Sequence, residues 1–246
     1  MRVHQQAAYV LINRPYSESS WIVEIFSREY GRMALMAKGA RRIKSQLKGV
    51  LLPFQPVLLS WVGKGEIPTL TSAEIDVSGF NLIENDLQGD QLVCGFYCNE
   101  LLAYLLHRHD PHPQLFDRYH STIIRLYDPE SVASEAKLAA TLRKFEQIML
   151  KETGYEVSFE KEADGKTAIQ GEAFYQFQPG QGFVRSLPGQ VKSVAGDVIL
   201  AMQDDWESSA EQAHMTSVKH LMRDILKQSL GYQKINSREL FFPKAR

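Results

Sequence analysis

The chain has 246 residues, 44% of them hydrophobic and 23% charged, proportions that bury a core and exclude disorder over most of the length. Lys and Arg number 28 against 29 Asp and Glu, a formal charge of −1, so the overall balance alone points to no anionic partner. Two cysteines are too few for a disulfide framework and fit a reducing cytoplasm, and no stretch approaches the roughly 20 apolar residues of a membrane span.

The first eighty residues read as strands. Ala7 to Asn13 is rich in Tyr, Val, Leu and Ile; its apolar run stops at Asn13 and Arg14, too short for a secretion signal, so a soluble intracellular protein is expected. The Pro/Ser cluster after Arg14 predicts a turn, and Trp21 to Phe26 a second strand, making a hairpin. Gly31 then precedes a third strand, Arg32 to Lys38, in which Met33, Leu35 and Ala37 face one way and Arg32, Ala34, Met36 and Lys38 the other. Gly39 to Gly49 lapses into a basic loop. Val57 to Val62 and Ile67 to Ile75 give two more strands joined across Gly63-Lys64-Gly65. Five short strands with one long basic connection fit either an oligonucleotide-binding (OB) barrel or an SH3-like barrel.

Beyond about Asp86 the period becomes helical. Leu92 to His109 carries Leu101, Leu102, Leu105 and Leu106 at one-face spacing until Pro111 and Pro113. Leu115, Phe116, Tyr119, Ile123 and Leu126 begin a second helix, and Leu138, Leu142, Phe145 and Met149 a third, ended by Gly154. Residues 160 to 186 turn Gly- and aromatic-rich, an irregular or hairpin insertion. Asp197 to Gln203 predicts a short helix, and Ser209 to Leu230 a last one that turns Val218, Leu221, Met222, Ile225 and Leu226 inward before Gly231. The expectation is an α+β chain: a barrel over residues 1–80, then a helical domain over 81–246 with an insertion at about 156–190.

The charges are unevenly distributed. Between Tyr30 and Gly65 there is no Asp or Glu, while Arg32, Lys38, Arg41, Arg42, Lys44, Lys48 and Lys64 supply seven positive charges; the other 210 residues carry 21 basic against 29 acidic side chains, net −8. One electropositive region on an otherwise acidic body is the footprint of a polyanion site, and a flexible loop of cations and small residues suits a nucleic-acid backbone. Arg14 is expected to contact DNA together with these cations; Tyr16 and Tyr30, in turns beside Arg14 and Arg32, are the expected stacking residues, whereas Trp21 and Trp61 share faces with core apolars. Lys219, Arg223 and Lys227, at i, i+4 and i+8, make with Arg238 a second basic surface. On the third helix, Arg143 and Lys144 beside Leu142 invite an acidic peptide tail ending in a hydrophobic residue.

Signatures of catalysis are mostly missing: no phosphate-binding Gly-x-x-x-x-Gly-Lys loop, no Gly-x-Ser-x-Gly elbow and no His-Glu-x-x-His. Cys94, Cys98, His107, His109, Asp110 and His112 are the one cluster to weigh as a metal site, against the reading that two cysteines inside an apolar helix are small core residues. No metal, no other cofactor and no enzymatic activity is expected. The alternatives are a metal-assisted enzyme on that Cys/His cluster and an RNA-directed OB-fold chaperone.

Asn-Arg-Pro-Tyr-Ser-Glu (13–18), Phe-Ser-Arg-Glu-Tyr-Gly (26–31), Ala-Lys-Gly-Ala-Arg-Arg (37–42), Lys44-Ser45, Leu-Lys-Gly-Val-Leu-Leu-Pro-Phe (47–54), Arg-Lys-Phe-Glu (143–146), Thr-Gly-Tyr (153–155) and Asn-Ser-Arg-Glu-Leu (236–240) together resemble the RecO family of DNA repair proteins. The resemblance implies an N-terminal OB fold on a helical domain. It implies a recombination mediator of the DNA-damage (SOS) response that binds single- and double-stranded DNA and anneals complementary strands. With RecR it would help load RecA onto DNA covered by single-stranded DNA-binding protein, in the cytoplasm at the nucleoid. The family's DNA-facing residues would correspond to Arg32, Lys38, Arg41, Arg42, Lys44 and Lys48, and the tail of the single-stranded DNA-binding protein to the Arg143-Lys144 segment. Many members also hold zinc with four cysteines. Residues 155 to 186 contain none, so that site is not carried over.

Overall fold

The computed structural model describes residues 1–77, 86–203, 212–231 and 233–237, and only the backbone of residues 212 and 213. They form two compact units, Met1–Tyr127 with the described chain from Ile235, and Asp128–Lys234.

In the first unit β1 (Arg2–Pro15), β2 (Trp21–Ser27), β3 (Gly31–Ala37), β4 (Pro56–Val62) and β5 (Thr69–Ile75), with the single-turn helix α1 (Leu47–Val50) between β3 and β4, build a closed barrel in the order β1-β2-β3-β5-β4. That is the five-stranded OB fold. Every pairing is antiparallel except β3 with β5, which closes the barrel at Met36 and Thr69. Alternation sends Val23, Ile25, Met33, Leu35, Val57, Leu59 and Trp61 into one buried cluster. β1 runs five residues further back than its apolar run: Arg2, Val3 and Gln6 stand opposite Val62, Trp61 and Leu59 of β4, and Val3 joins the buried cluster. The β1–β2 register shifts between Val10 and Ile12, a bulge-type irregularity. β5 begins at Thr69, after Pro68, whose carbonyl accepts from the Met36 amide at 2.8 Å.

The outer face of this barrel is apolar too. Tyr9, Leu11 and Phe26 alternate outward and are 0–2% exposed. They pack beneath α2 (Gly89–Leu105) and α3 (Pro113–Tyr127). Phe26 meets Phe116 at 5.5 Å and Tyr9 meets Tyr119 edge-on at 4.9 Å. Buried polar groups there are paired: Asn99 donates to the Leu11 carbonyl at 3.1 Å and accepts from the Tyr119 hydroxyl at 2.5 Å, while the Tyr9 hydroxyl lies 2.7 Å from His120 Nδ1. Burial pushes both phenols above their ordinary range, with Asp76 adding to the effect on Tyr9. By packing, the division between compact units falls after Tyr127.

α2 is four residues shorter at its end than its apolar spacing suggests. After Leu106 the chain is drawn to β3, where the His109 amide donates to the Arg32 carbonyl at 2.9 Å. Gly31 permits this approach: its φ is +65°, and a Cβ there would lie 2.1 Å from the Asp110 carbonyl oxygen.

The second unit holds α4 (Glu135–Glu152), β6 (Phe174–Gln178), β7 (Gly182–Ser186), β8 (Val194–Ala195), α5 (Gly196–Leu200) and α6 (Gln212–Ser229). The Ser134 hydroxyl caps α4 by accepting from the Lys137 amide at 3.3 Å. The Gly- and aromatic-rich segment forms a hairpin, and β8 joins it to give the order β7-β6-β8 over buried Tyr175 and Phe183. Phe145 and Met149 of α4 and Val218, Met222 and Ile225 of α6 are buried at 0–1% exposure.

Candidate nucleic-acid interface

Register gathers three connections at one end of the barrel. Pro15 is opposite Trp21 and Trp21 opposite Ala37, so the β1–β2 turn adjoins the end of β3. The β4–β5 loop adjoins it from the other side through Pro68 and Met36. The basic loop is pinned to the turn at Arg41, whose amide donates to the Ser19 carbonyl at 3.0 Å and whose guanidinium donates to the Ser17 carbonyl. Arg14, Lys38, Arg41, Arg42, Lys44, Lys48 and Lys64 are all exposed. Among the described residues none of the seven is ion-paired with a carboxylate. The acids nearest in sequence are Glu18 on the turn and Glu66 on the β4–β5 loop. Arg41 spends its hydrogen bonds on a carbonyl, which leaves its charge uncompensated. The result is a concentration of positive potential at the loop end of the barrel.

Two residues expected here lie elsewhere. Arg32 is only 17% exposed; its Nε and Nη2 reach Glu24 Oε2 at 3.1 and 3.0 Å, and its Nη1 donates to the Leu106 carbonyl at 3.0 Å. Glu24, 3% exposed in its side chain, also takes Arg108 at 2.9 Å. Arg32 is thus a structural cation that balances a buried carboxylate and ties β2 and β3 to the segment after α2. The clue lay in Trp-Ile-Val-Glu-Ile-Phe, an acid inside an apolar strand, which must find a partner. Tyr30 is the second: its ring stands edge-on to Trp61 at 5.1 Å and packs against the barrel cluster. Tyr16, by contrast, is 63% exposed on the turn.

The face over which OB folds take up oligonucleotides, the outside of the second and third strands, is half occupied. Phe26, Glu24 and Arg32 are covered by α3 and the residues after α2. Nearer the loops, Ile22 and Met36 sit opposite one another, both half-buried, with exposed Arg14 in register beside Ile22. This apolar pair, bordered by the basic loop, was not singled out from sequence, because period-2 alternation does not say which outward apolars a helix will cover.

A model described as Recombination protein O N terminal matches residues 1–78, and one described as Recombination protein O C terminal matches residues 87–239. The chain belongs to the RecO family. It is 42% identical over 243 residues to the DNA repair protein RecO of Paraburkholderia xenovorans, covering 97% of this chain and 76% of that one. It is 40% identical to the DNA repair protein RecO of Thiobacillus denitrificans, over 97% of this chain and 91% of that one. With the DNA repair protein RecO of Coxiella burnetii it shares 36% identity over 98% and 99% of the two chains. Membership supports a role in DNA repair and recombination. By family, α2 and α3 fall in the C-terminal RecO segment; by packing they belong to the barrel unit.

The other expected sites of this RecO chain are resolved unevenly. On α4, Arg143 Nη1 lies 2.7 Å from Glu146 Oε2, the side chains 11% and 0% exposed, and Leu142 is 8% exposed. Arg143 and Leu142 therefore face inward and do not form an open groove for a tail; the basic residue next in sequence is Lys144, half-buried. Lys219, Arg223 and Lys227 are exposed on α6, and Arg238 lies outside the described residues. Arg223 edges a groove of about 470 Å³ that is also lined by Phe177, Val198, His220 and Lys192, the last 3.3 Å from Asp224. Cys94 and Cys98 are buried and not joined in a disulfide, and among the described residues no three His, Cys, Asp or Glu side chains gather as metal ligands. No helix among the described residues is long and apolar enough to cross a membrane.

Proposed function

We propose that this RecO-family chain is a non-enzymatic mediator of recombinational repair. It binds single- and double-stranded DNA through the loop end of its barrel, anneals complementary strands, and acts with RecR to load RecA onto DNA covered by single-stranded DNA-binding protein. The observation that carries the reading is the set of seven exposed, unpaired cations, Arg14, Lys38, Arg41, Arg42, Lys44, Lys48 and Lys64, on a chain that is otherwise net acidic.

Annealing brings two polyanions together. Lys and Arg on a surface loop neutralise phosphates of either strand without reading sequence, and they release the duplex because each contact is weak and salt-sensitive. Tyr16 and the Ile22–Met36 step offer apolar surface to unstacked bases beside those phosphates. Lys219, Arg223 and Lys227, about 6 Å apart along the α6 axis, offer a second polyanion contact. No covalent bond is made or broken.

The test is annealing of complementary oligonucleotides by wild type beside an Arg41→Ala/Arg42→Ala/Lys44→Ala variant, with matched RNA as competitor. Slower annealing by the variant and poor competition by RNA are expected. Equal annealing rates would remove the loop from the function.

A further inference from the structure

We propose that Ile43 is the base-contacting tip of the basic loop, packing on nucleobases of a bound single strand while Arg41, Arg42 and Lys44 hold its phosphates. The proposal rests on the reading that this loop binds DNA.

Ile43 is 95% exposed, the most exposed large apolar side chain among the described residues. Neither folding nor turn chemistry accounts for it. The loop is anchored by other residues: Ala40 and Leu51 are fully buried, and Leu47 and Val50 pack against the barrel cluster. The turn that presents Ile43 is closed by the Ser45 amide on the Arg42 carbonyl at 3.1 Å, following one closed by the Arg42 amide on the Gly39 carbonyl at 3.1 Å. Such central turn positions favour Pro, Asn, Asp, Ser or Gly, and a β-branched apolar residue has no local advantage there. Ile43 is therefore held outward by a fixed turn, between cations on both sides.

An isolated exposed apolar residue needs no explanation, but this one has company. Through the bonds of Arg41 to Ser17 and Ser19, its loop is joined to the turn bearing Tyr16, itself 63% exposed. A ligand that meets Ile43 must also meet at least three cations, so it is polyanionic, and it must present apolar surface between its charges. Single-stranded nucleic acid alternates phosphates with base faces in this way, and aliphatic side chains are known wedges against bases. An acidic protein surface supplies the charge but not a repeating apolar face at each step.

The experiment is fluorescence anisotropy with a labelled oligothymidylate and an abasic phosphodeoxyribose strand of equal length, using the full chain, Ile43→Ser and Ile43→Leu. Ile43→Ser is expected to weaken binding of the base-bearing strand about tenfold, from losing burial of one aliphatic side chain. Binding of the abasic strand and the salt dependence should stay at wild-type values, and Ile43→Leu should keep most of the affinity. Equal losses on both strands, or none on either, would overturn the assignment while leaving DNA binding by the loop intact. A wild type that binds neither strand would instead overturn the DNA reading on which it stands.

Discussion

Arg32 and Arg41 come from the same acid-free stretch and do opposite work. Arg32 spends its charge on buried Glu24, and Arg41 keeps its charge by bonding a carbonyl. Arg32→Ala leaves Glu24 with Arg108 as its remaining ion-pair partner among the described residues, and is expected to destabilise the barrel unit by on the order of 3 kcal/mol. A shift of the urea midpoint should show this, while the salt slope of DNA binding by the folded variant matches wild type. A stable Arg32→Ala protein with weakened DNA binding would reverse the assignment. Sequence could not separate the two arginines, because the partner of Arg32 comes from across β2 and β3. His120 gives a pH test: burial lowers its pKa from 6.5, against smaller opposing effects of Asp117 and Asp76. The folded chain thus favours neutral imidazole while the unfolded chain takes up a proton near 6.5. Its contribution is complete above that value and is lost as pH falls through 6.5 towards the lower folded value. Between pH 7.5 and 5.5 wild type should lose more stability than His120→Gln in urea melts; parallel losses would dismiss the effect.

Among the elements, Gly31 joins strand geometry to domain packing. Its φ of +65° and the 2.1 Å approach of the Asp110 carbonyl to any Cβ leave no room for a side chain. Gly31→Ala should cost about 3 kcal/mol or more, since it combines a strained backbone with displacement of the segment docked on β3. A denaturant melt indistinguishable from wild type would show that this docking is dispensable. From sequence, Gly31 was legible as a turn glycine but its contact with Asp110 was not. β2, β3 and β4 could be read to within a residue at each end, because period-2 alternation and flanking turn residues mark them locally. The first half of β1 and the single turn α1 could not, since Arg2 to Gln6, with Val3 its one apolar residue, is held by β4, and Leu47 to Val50 by the barrel wall. Asn236 and Ser237, part of the segment that resembles the family, prove to have a structural job: their amides each donate to Glu100 of α2 at 2.8 Å. Only the tertiary fold brings them 136 and 137 residues back along the chain.

For the whole molecule, charge was the most legible property, because it needs no structure to count. Seven cations in the acid-free stretch against net −8 elsewhere foretold an electropositive end, and six of those seven are exposed and unpaired. What the count could not tell was that Arg32 is withdrawn, since that depends on which outward face the helices cover and on its pairing with Glu24. The apolar outside of the barrel likewise required α2 and α3 to be in place before the uncovered part of its outer face could be located. The most direct test is the dependence of single-stranded DNA affinity on salt, measured as log K against log salt concentration for wild type and Arg41→Ala/Arg42→Ala/Lys44→Ala. If the loop end grips phosphates, the variant slope should be shallower by about 2, at roughly 0.7 for each lost contact. Identical slopes would contradict the account.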